Sequence, residues 1–246
     1  MPEGPSIIIL RELIEELHLS KPEVLEVAGN AKNFDKDRLL HKKIQSFKSW
    51  GKHFLICFDD FTVRIHFMLF GSYLINQSKK IPLKLGLIFK KDELNFYTCK
   101  VDLLEGNVNQ HYNWENDVMA DEWNSSAAIK KLKNMPEALV CDVLLDQHIF
   151  SGVGNIIKNE VLYRTRIHPL TKIANLTPAK LKALVNEARN YSFDFLKWKK
   201  ENTLSKHWEA YNQKECPLKH VIEKKELGKT HRQTYYCTKC QKLYNS

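Results

Sequence analysis

Four residues near the C-terminal end constrain this chain more than any others. Cys216-x3-His220 and Cys237-x2-Cys240 are two close pairs with 16 residues between them. They lie in a segment, residues 206–246, that carries nine Lys or Arg against four Glu and very few aliphatic side chains. A stretch this short and this poor in apolar residues cannot bury enough core to offset its ordering entropy, so it needs a staple. Each pair has the spacing that lets two ligands reach one ion from a tight turn. Three cysteines and a histidine, with no carboxylate among them, describe a closed tetrahedral zinc site whose work is structural. Read instead as core or redox cysteines beside an incidental histidine, the segment has nothing to fold around. Three thiolates on Zn2+ leave the site near −1, so the surrounding lysines and Arg232 keep the module basic. A zinc hydrolase does not fit, because all four ligands are committed and there is no His-Glu-x-x-His pair.

The remaining cysteines, Cys57, Cys99 and Cys141, are isolated and read as buried thiols. Crowding of the other three in the last 31 residues favours a metal cluster in a reducing compartment over a disulfide framework. The start, MPEGPSIII, lacks the basic leader of a secretion signal, so an intracellular location, cytoplasmic or nucleoid-associated, is expected. The chain of 246 residues has a net charge of +9 and is 43% hydrophobic, which supports real cores and fits a polyanionic partner. Mean hydropathy is −0.43, no run approaches a membrane span, and no membrane partner is expected.

The order of elements changes along the chain. Ile7, Leu10, Leu13, Ile14 and Leu17 recur at helical steps. Strand-like runs follow at Phe54–Phe58, Phe61–Phe67, Leu85–Phe89 and Leu94–Cys99, with a hairpin turn at Asp59-Asp60. In Phe61–Phe67, Val63, Ile65 and Phe67 share one face and Thr62, Arg64 and His66 the other. From about Asp117 the pattern turns helical. Ser125 or Ser126 caps one helix through Lys133, and Glu137–Gln147 reads as a second. A third runs from Ile156 to about Arg164. Thr177-Pro178 starts a fourth, with Leu181, Leu184, Val185, Ala188 and Phe195 as its buried stripe. Ahead of the third helix, Ser151-Gly-Val-Gly-Asn155 offers close backbone approach and free N–H groups for a phosphate, with Asn155 as a further donor. By itself that pattern equally describes a plain tight turn.

Three features occur in order: the N-terminal Pro2-Glu-Gly-Pro5; the stretch from Leu144-Leu-Asp-Gln147 through Gly152-Val-Gly-Asn155 and Glu160 to His168-Pro169; and the terminal Cys/His hairpin. Together they resemble the formamidopyrimidine-DNA glycosylase/endonuclease VIII family of base-excision repair enzymes. The resemblance spans essentially the whole chain. It implies an α+β multidomain fold. Residues 1–115 would be a helix plus a β-sandwich carrying the catalytic end, 116–205 a helix–two-turn–helix DNA-binding domain, and 206–246 a zinc finger. Damaged double-stranded DNA would lie in the cleft between two lobes of a monomer, with single-stranded or bubble DNA as further candidates.

The resemblance also assigns roles. Met1 is removed and the secondary amine of Pro2 attacks C1′ of the damaged nucleotide. An α-amino group titrates near ~8 against ~10.4 for lysine, so part of it is unprotonated at neutral pH. Glu3 is the matching acid and base, opening the sugar ring and shuttling protons during β,δ-elimination. Lys52 contacts phosphates beside the lesion and counts with the catalytic group. Asn155 and Arg232 grip the same backbone, a pinch that favours eversion of the target base. Leu69, in His66-Phe-Met-Leu-Phe-Gly71, takes the place of the wedge that fills the vacated stack, flanked by Met68 and Phe70. One departure is Ser6, where many members have Glu, which puts a proton-relay role for that position in doubt.

Members specialised for 8-oxoguanine usually carry a long Gly-rich capping loop before the finger. Here the corresponding stretch, Thr203–Tyr211, is short and has no glycine. That, with the Cys-x3-His pair, favours the endonuclease VIII-like branch and oxidised pyrimidines. The competing expectations are an enzyme specific for 8-oxoguanine or formamidopyrimidine, and a non-catalytic damaged-DNA-binding protein on the same fold, which only Ser6 recommends.

Overall fold

The apolar period at the start becomes α1, Gly4–Glu15, in a computed structural model that describes residues 2–18, 21–32 and 35–245. Ile7, Leu10 and Ile14 are buried, as their spacing predicts. Leu17 packs at the edge of the same core, and Leu13 is the exception at 38% exposed.

Beneath α1 lies one antiparallel sheet of six strands: β1 (Glu26–Ala28), β2 (Ser46–Trp50), β3 (His53–Cys57), β4 (Phe61–Ile75), β5 (Leu83–Ile88) and β6 (Glu93–Glu105). Their order across the sheet is β1-β5-β6-β4-β3-β2. The expected sandwich is therefore a single sheet folded over its own core. β4 and β6 are long enough to serve both layers. Phe61–Phe67 of β4 continues into β3 and β2, and Leu94–Tyr97 of β6 continues into β5 and β1. The bend comes with a register shift between Phe67 and Ser72 of β4, where extra residues leave the ladder. Phe54, Ile56, Val63 and Ile65 from one layer meet Leu85, Leu87, Leu94 and Phe96 from the other, together with α1. Both strands run well past the limits that alternation alone predicts, because their outer ends are half-polar.

The chain divides into two compact units, residues 1–113 and 114–246. The second contains α2 (Ser125–Lys133), α3 (Val140–Val143), α4 (Asn155–Arg164), α5 (Pro178–Lys200) and a hairpin of β7 (Glu223–Leu227) and β8 (Arg232–Tyr236). Thr177 caps α5 with its side chain, and the predicted stripe of α5 is buried. Two sequence expectations are corrected here. Asn124, not a serine, caps α2, its side chain accepting from Ala127 N. The helix expected over Glu137–Gln147 shrinks to the single turn α3. Leu139 is extended and bridges Lys172, and the N–H groups of Val140 and Cys141 go to the Thr171 and Pro169 carbonyls. Those donors cannot also bond back to residues 136 and 137, so the helix starts no earlier than Val140. No helix among the described residues is long and apolar enough to cross a membrane.

Candidate functional site

In the first unit, Pro2 and Glu3 sit directly ahead of α1. Glu3 is the N-cap residue in extended geometry, and its carbonyl accepts from Ser6 N at 2.8 Å. Its side chain is 2% exposed, whereas Pro2 is half-buried. A carboxylate here profits from the positive end of the helix. Removal of Met1, which the resemblance implies, concerns a residue outside those described.

Lys52 lies in the tight turn joining β2 to β3, where Gly51 takes φ +51°. Behind that turn is a half-buried polar cluster that sequence reading missed. His53 and His66 stand opposite each other on β3 and β4, with rings edge to face at 5.1 Å. His53 Nδ1 lies 3.2 Å from the Tyr112 hydroxyl. Burial, reinforced by the charges of His66 and Arg64, pushes His53 down to about 3. Burial lowers His66 as well, against a hydrogen bond with the Lys52 backbone that raises it. Arg64 answers with a 2.7 Å ion pair to Asp102. Two histidines in a run of alternating residues, one of them next to Lys52, were the available signal.

Leu69 sits where β4 leaves the ladder. Met68, Leu69 and Phe70 are 51%, 58% and 80% exposed, three consecutive apolar side chains held in water. Gly71 closes the excursion, since a Cβ there would meet the Phe67 side chain and the Thr98 carbonyl within 3 Å. A packed core residue at a strand end would be covered; these are presented.

In the second unit, Asn155 is the first residue of α4. The turn before it is shaped by Gln147, which accepts from Gly152 N at 3.1 Å and donates to the Leu145 and Val153 carbonyls. Gly152 takes φ +98°. Asn155 Nδ2 donates to the Gln233 carbonyl at 2.9 Å, while its buried Oδ1 has no partner. Gln233 follows Arg232, the exposed first residue of β8, so the structure brings Asn155 and Arg232 to one locality.

α4 holds that hairpin from beneath with polar residues buried in an apolar helix. Lys158 Nζ donates to Thr234 Oγ1 at 2.8 Å, and Asn159 Oδ1 accepts from Tyr235 N at 2.9 Å. Glu160 accepts from the backbone N–H groups of Glu209, Ala210 and Tyr211. Burial raises the Glu160 carboxyl, and those three donors oppose the rise. From α3, Asp142 accepts from Lys229 N, and a Cβ on Gly228 (φ +71°) would collide with the Asp142 carboxylate. The Lys-Asn-Glu run inside Ile156–Leu162 was the sequence signal for this clamp.

The four predicted ligands meet. The ligand atoms of Cys216, His220, Cys237 and Cys240 all lie within 4.8 Å of one another. The Cys216 and Cys240 sulfurs are 3.8 Å apart, and His220 Nδ1 is 3.2 Å from Cys240 Sγ. A tetrahedron with metal–sulfur bonds of ~2.3 Å has edges of roughly 3.8 Å, so the sulfur spacing suits a shared zinc ion. Tyr163 of α4, Ala210, Ile222 and Tyr235 pack around the cysteines as a small core. Cys57, Cys99 and Cys141 are buried thiols.

Comparison with known proteins bears on this arrangement. The family model for the formamidopyrimidine-DNA glycosylase N-terminal domain matches residues 1–101, and that for the formamidopyrimidine-DNA glycosylase H2TH domain matches residues 116–203. Endonuclease 8-like 3 of Mus musculus is 33% identical over 202 residues, 78% of this chain and 33% of the relative. Endonuclease 8-like 2 of Homo sapiens is 30% identical over 198 residues, 73% of this chain and 57% of the relative. The chain thus spans about a third of the length of the endonuclease 8-like 3 relatives it matches. In fold, it superposes on the crystal structure of a viral DNA glycosylase with a TM-score of 0.82, at 23% identity over 97% of this chain and 99% of that one. Against Lactococcus lactis formamidopyrimidine-DNA glycosylase bound to DNA containing an abasic site, the TM-score is 0.85, at 19% identity over 97% and 99%.

Proposed function

Because this chain belongs to the formamidopyrimidine-DNA glycosylase/endonuclease VIII family, on its endonuclease VIII-like branch, we propose that it is a DNA repair glycosylase that also cleaves the strand, with Pro2 as nucleophile. The observation that carries the reading is the half-buried Pro2 beside the enclosed Glu3 carboxyl at the head of α1. With Met1 removed, the pyrrolidine nitrogen bonds to C1′ of the damaged nucleotide, and the C1′–base bond breaks with its electron pair leaving on the base. The nitrogen gives up its one proton, which leaves with the base, Glu3 gives a proton to the ring oxygen as the C1′–O bond opens, and the nitrogen becomes an iminium. That cation acidifies C2′. Loss of its proton expels the 3′ phosphate, and a second elimination expels the 5′ phosphate.

The other residues hold DNA. Lys52, Asn155 and Arg232 take phosphates, and Leu69, with Met68 and Phe70, fills the stack that the everted nucleotide leaves. Asn155 would exchange its bond to Gln233 for a phosphate. Zinc on Cys216, His220, Cys237 and Cys240 supplies no reaction chemistry when bound; it fixes the hairpin that presents Arg232. The substrate class is oxidised pyrimidines. The stretch Thr203–Tyr211 is tied down by Glu160 and by Trp198 stacked on His207 at 4.2 Å, which suits an open site more than a closing cap.

The test is single-turnover incision of duplexes carrying thymine glycol, 5-hydroxyuracil or 8-oxoguanine opposite cytosine, using untagged protein. A one-nucleotide gap with phosphates at both ends, formed fastest on the pyrimidine lesions, is expected. Faster 8-oxoguanine removal overturns the substrate class, and tight binding to damage without any incision overturns the enzyme.

A further inference from the structure

Arg166 occupies a position made for glycine. It follows the C-cap Thr165 of α4, with φ +59°. Its N–H bonds to the Tyr163 carbonyl at 3.0 Å, and Ile167 N bonds to the Leu162 carbonyl at 3.1 Å, which together complete a Schellman closure. The left-handed residue of that motif is usually glycine, since any Cβ is strained there. The strain points to a use for the side chain.

The guanidinium provides one. It lies 4.5 Å over the Tyr163 ring, and Tyr163 packs in the small core that contains Cys216 and Cys237. Its electrostatic neighbours are Tyr163, Cys240 and Glu209, and Glu209 already pairs with Arg164 at 2.8 Å. Arg166 Nη1 and the Tyr163 hydroxyl are both buried, facing each other, and the hydroxyl also faces Cys216. Two donors, one of them cationic, thus flank a cluster whose zinc-loaded form, three thiolates and one divalent ion, carries a charge near −1.

We infer that Arg166 is the outer-sphere countercharge of the metal cluster, with the Tyr163 hydroxyl as its neutral companion, and that together they raise the affinity of the finger for zinc. The inference rests on reading the cluster as a zinc site. Partners of this kind favour deprotonated sulfur and fix ligand orientation, and their loss costs on the order of 10–100-fold in metal affinity.

The experiment is competition for zinc between the 246-residue chain and a chromophoric chelator, for the parent, Arg166→Gly, Arg166→Lys and Tyr163→Phe. Arg166→Gly relieves the backbone, so its fold is safe and any loss of affinity belongs to the guanidinium. The expected result is one zinc per parent chain and at least about tenfold weaker binding by Arg166→Gly. Arg166→Lys falls between them, and Tyr163→Phe loses less than Arg166→Gly. If Arg166→Gly holds its single zinc as tightly as the parent, the countercharge role is overturned and the metal site stands. If the parent binds no stoichiometric zinc, the metal reading and this inference fall together.

Discussion

Asn159 accepts the backbone N–H of Tyr235 on its side-chain oxygen at 2.9 Å, in a place closed to water. Helix α4 therefore treats β8 as though it were pairing with a further strand, and Lys158 and Asp142 extend the grip to Thr234 and Lys229. In the proposed reading, the orientation of Arg232 depends on this clamp as well as on zinc. Asn159→Leu strands a buried donor, which costs about 1–3 kcal/mol. Urea titration measures that loss, and a DNA-binding titration is expected to show weaker affinity although Asn159 touches no phosphate in the proposed complex.

The presented triad makes the opposite prediction. Leu69 is 58% exposed, so Leu69→Ala is expected to change stability by no more than about 0.5 kcal/mol. Its effect belongs to base eversion. Excision of an intact lesion base is expected to slow clearly, while strand cleavage at a preformed abasic site, which has no base to evert, slows less. Both are read from single-turnover gels on the same protein.

Acid is expected to destabilise the first unit through His53. Burial holds it near 3, below the ordinary 6.5, so the fold keeps it neutral. Below pH 6.5 the unfolded chain takes up a proton that the folded chain refuses. Stability from this group is thus full above pH 6.5 and declines as pH falls toward 3, by about 1.4 kcal/mol per unit. Denaturant titrations at pH 7 and pH 5 are expected to show a loss that shrinks by about 2 kcal/mol in His53→Gln.

Withdrawing metal is expected to act on the second unit alone. The hairpin core contains few residues besides the ligands themselves, and structural zinc contributes folding free energy directly. Chelation, or Cys237→Ser, is expected to lower the melting temperature of residues 114–246 and weaken DNA binding. Any trapping of Pro2 that remains at saturating protein is expected to be chemically unchanged.

The sequence showed these features unequally, for physical reasons. The ligands Cys216, His220, Cys237 and Cys240 were legible because metal chemistry restricts residue type and spacing together. The buried stripe of α5 and the core face of Phe61–Phe67 were legible because apolar periodicity is local. The late start of α3 was not, because the groups that take its first N–H donors, the carbonyls of Pro169 and Thr171, are distant in sequence. The His53–His66–Tyr112 cluster was hidden for a similar reason: it exists only once β3 and β4 pair in register. The partners of Lys158 and Asn159 lie on β8, more than seventy residues along the chain, so α4 alone does not reveal them. Pro2, Glu3, Lys52 and Leu69 owed their roles to resemblance, since nothing in their local pattern demands the chemistry.

The measurement that bears most directly on the account is borohydride reduction of the untagged protein on a duplex with one abasic site, followed by peptide mass spectrometry of the trapped species. The account predicts a mature chain lacking Met1 and a single deoxyribose adduct on the nitrogen of Pro2, abolished when a residue is left in front of it. An adduct on a lysine, or efficient trapping by a chain that keeps its initiator, contradicts it.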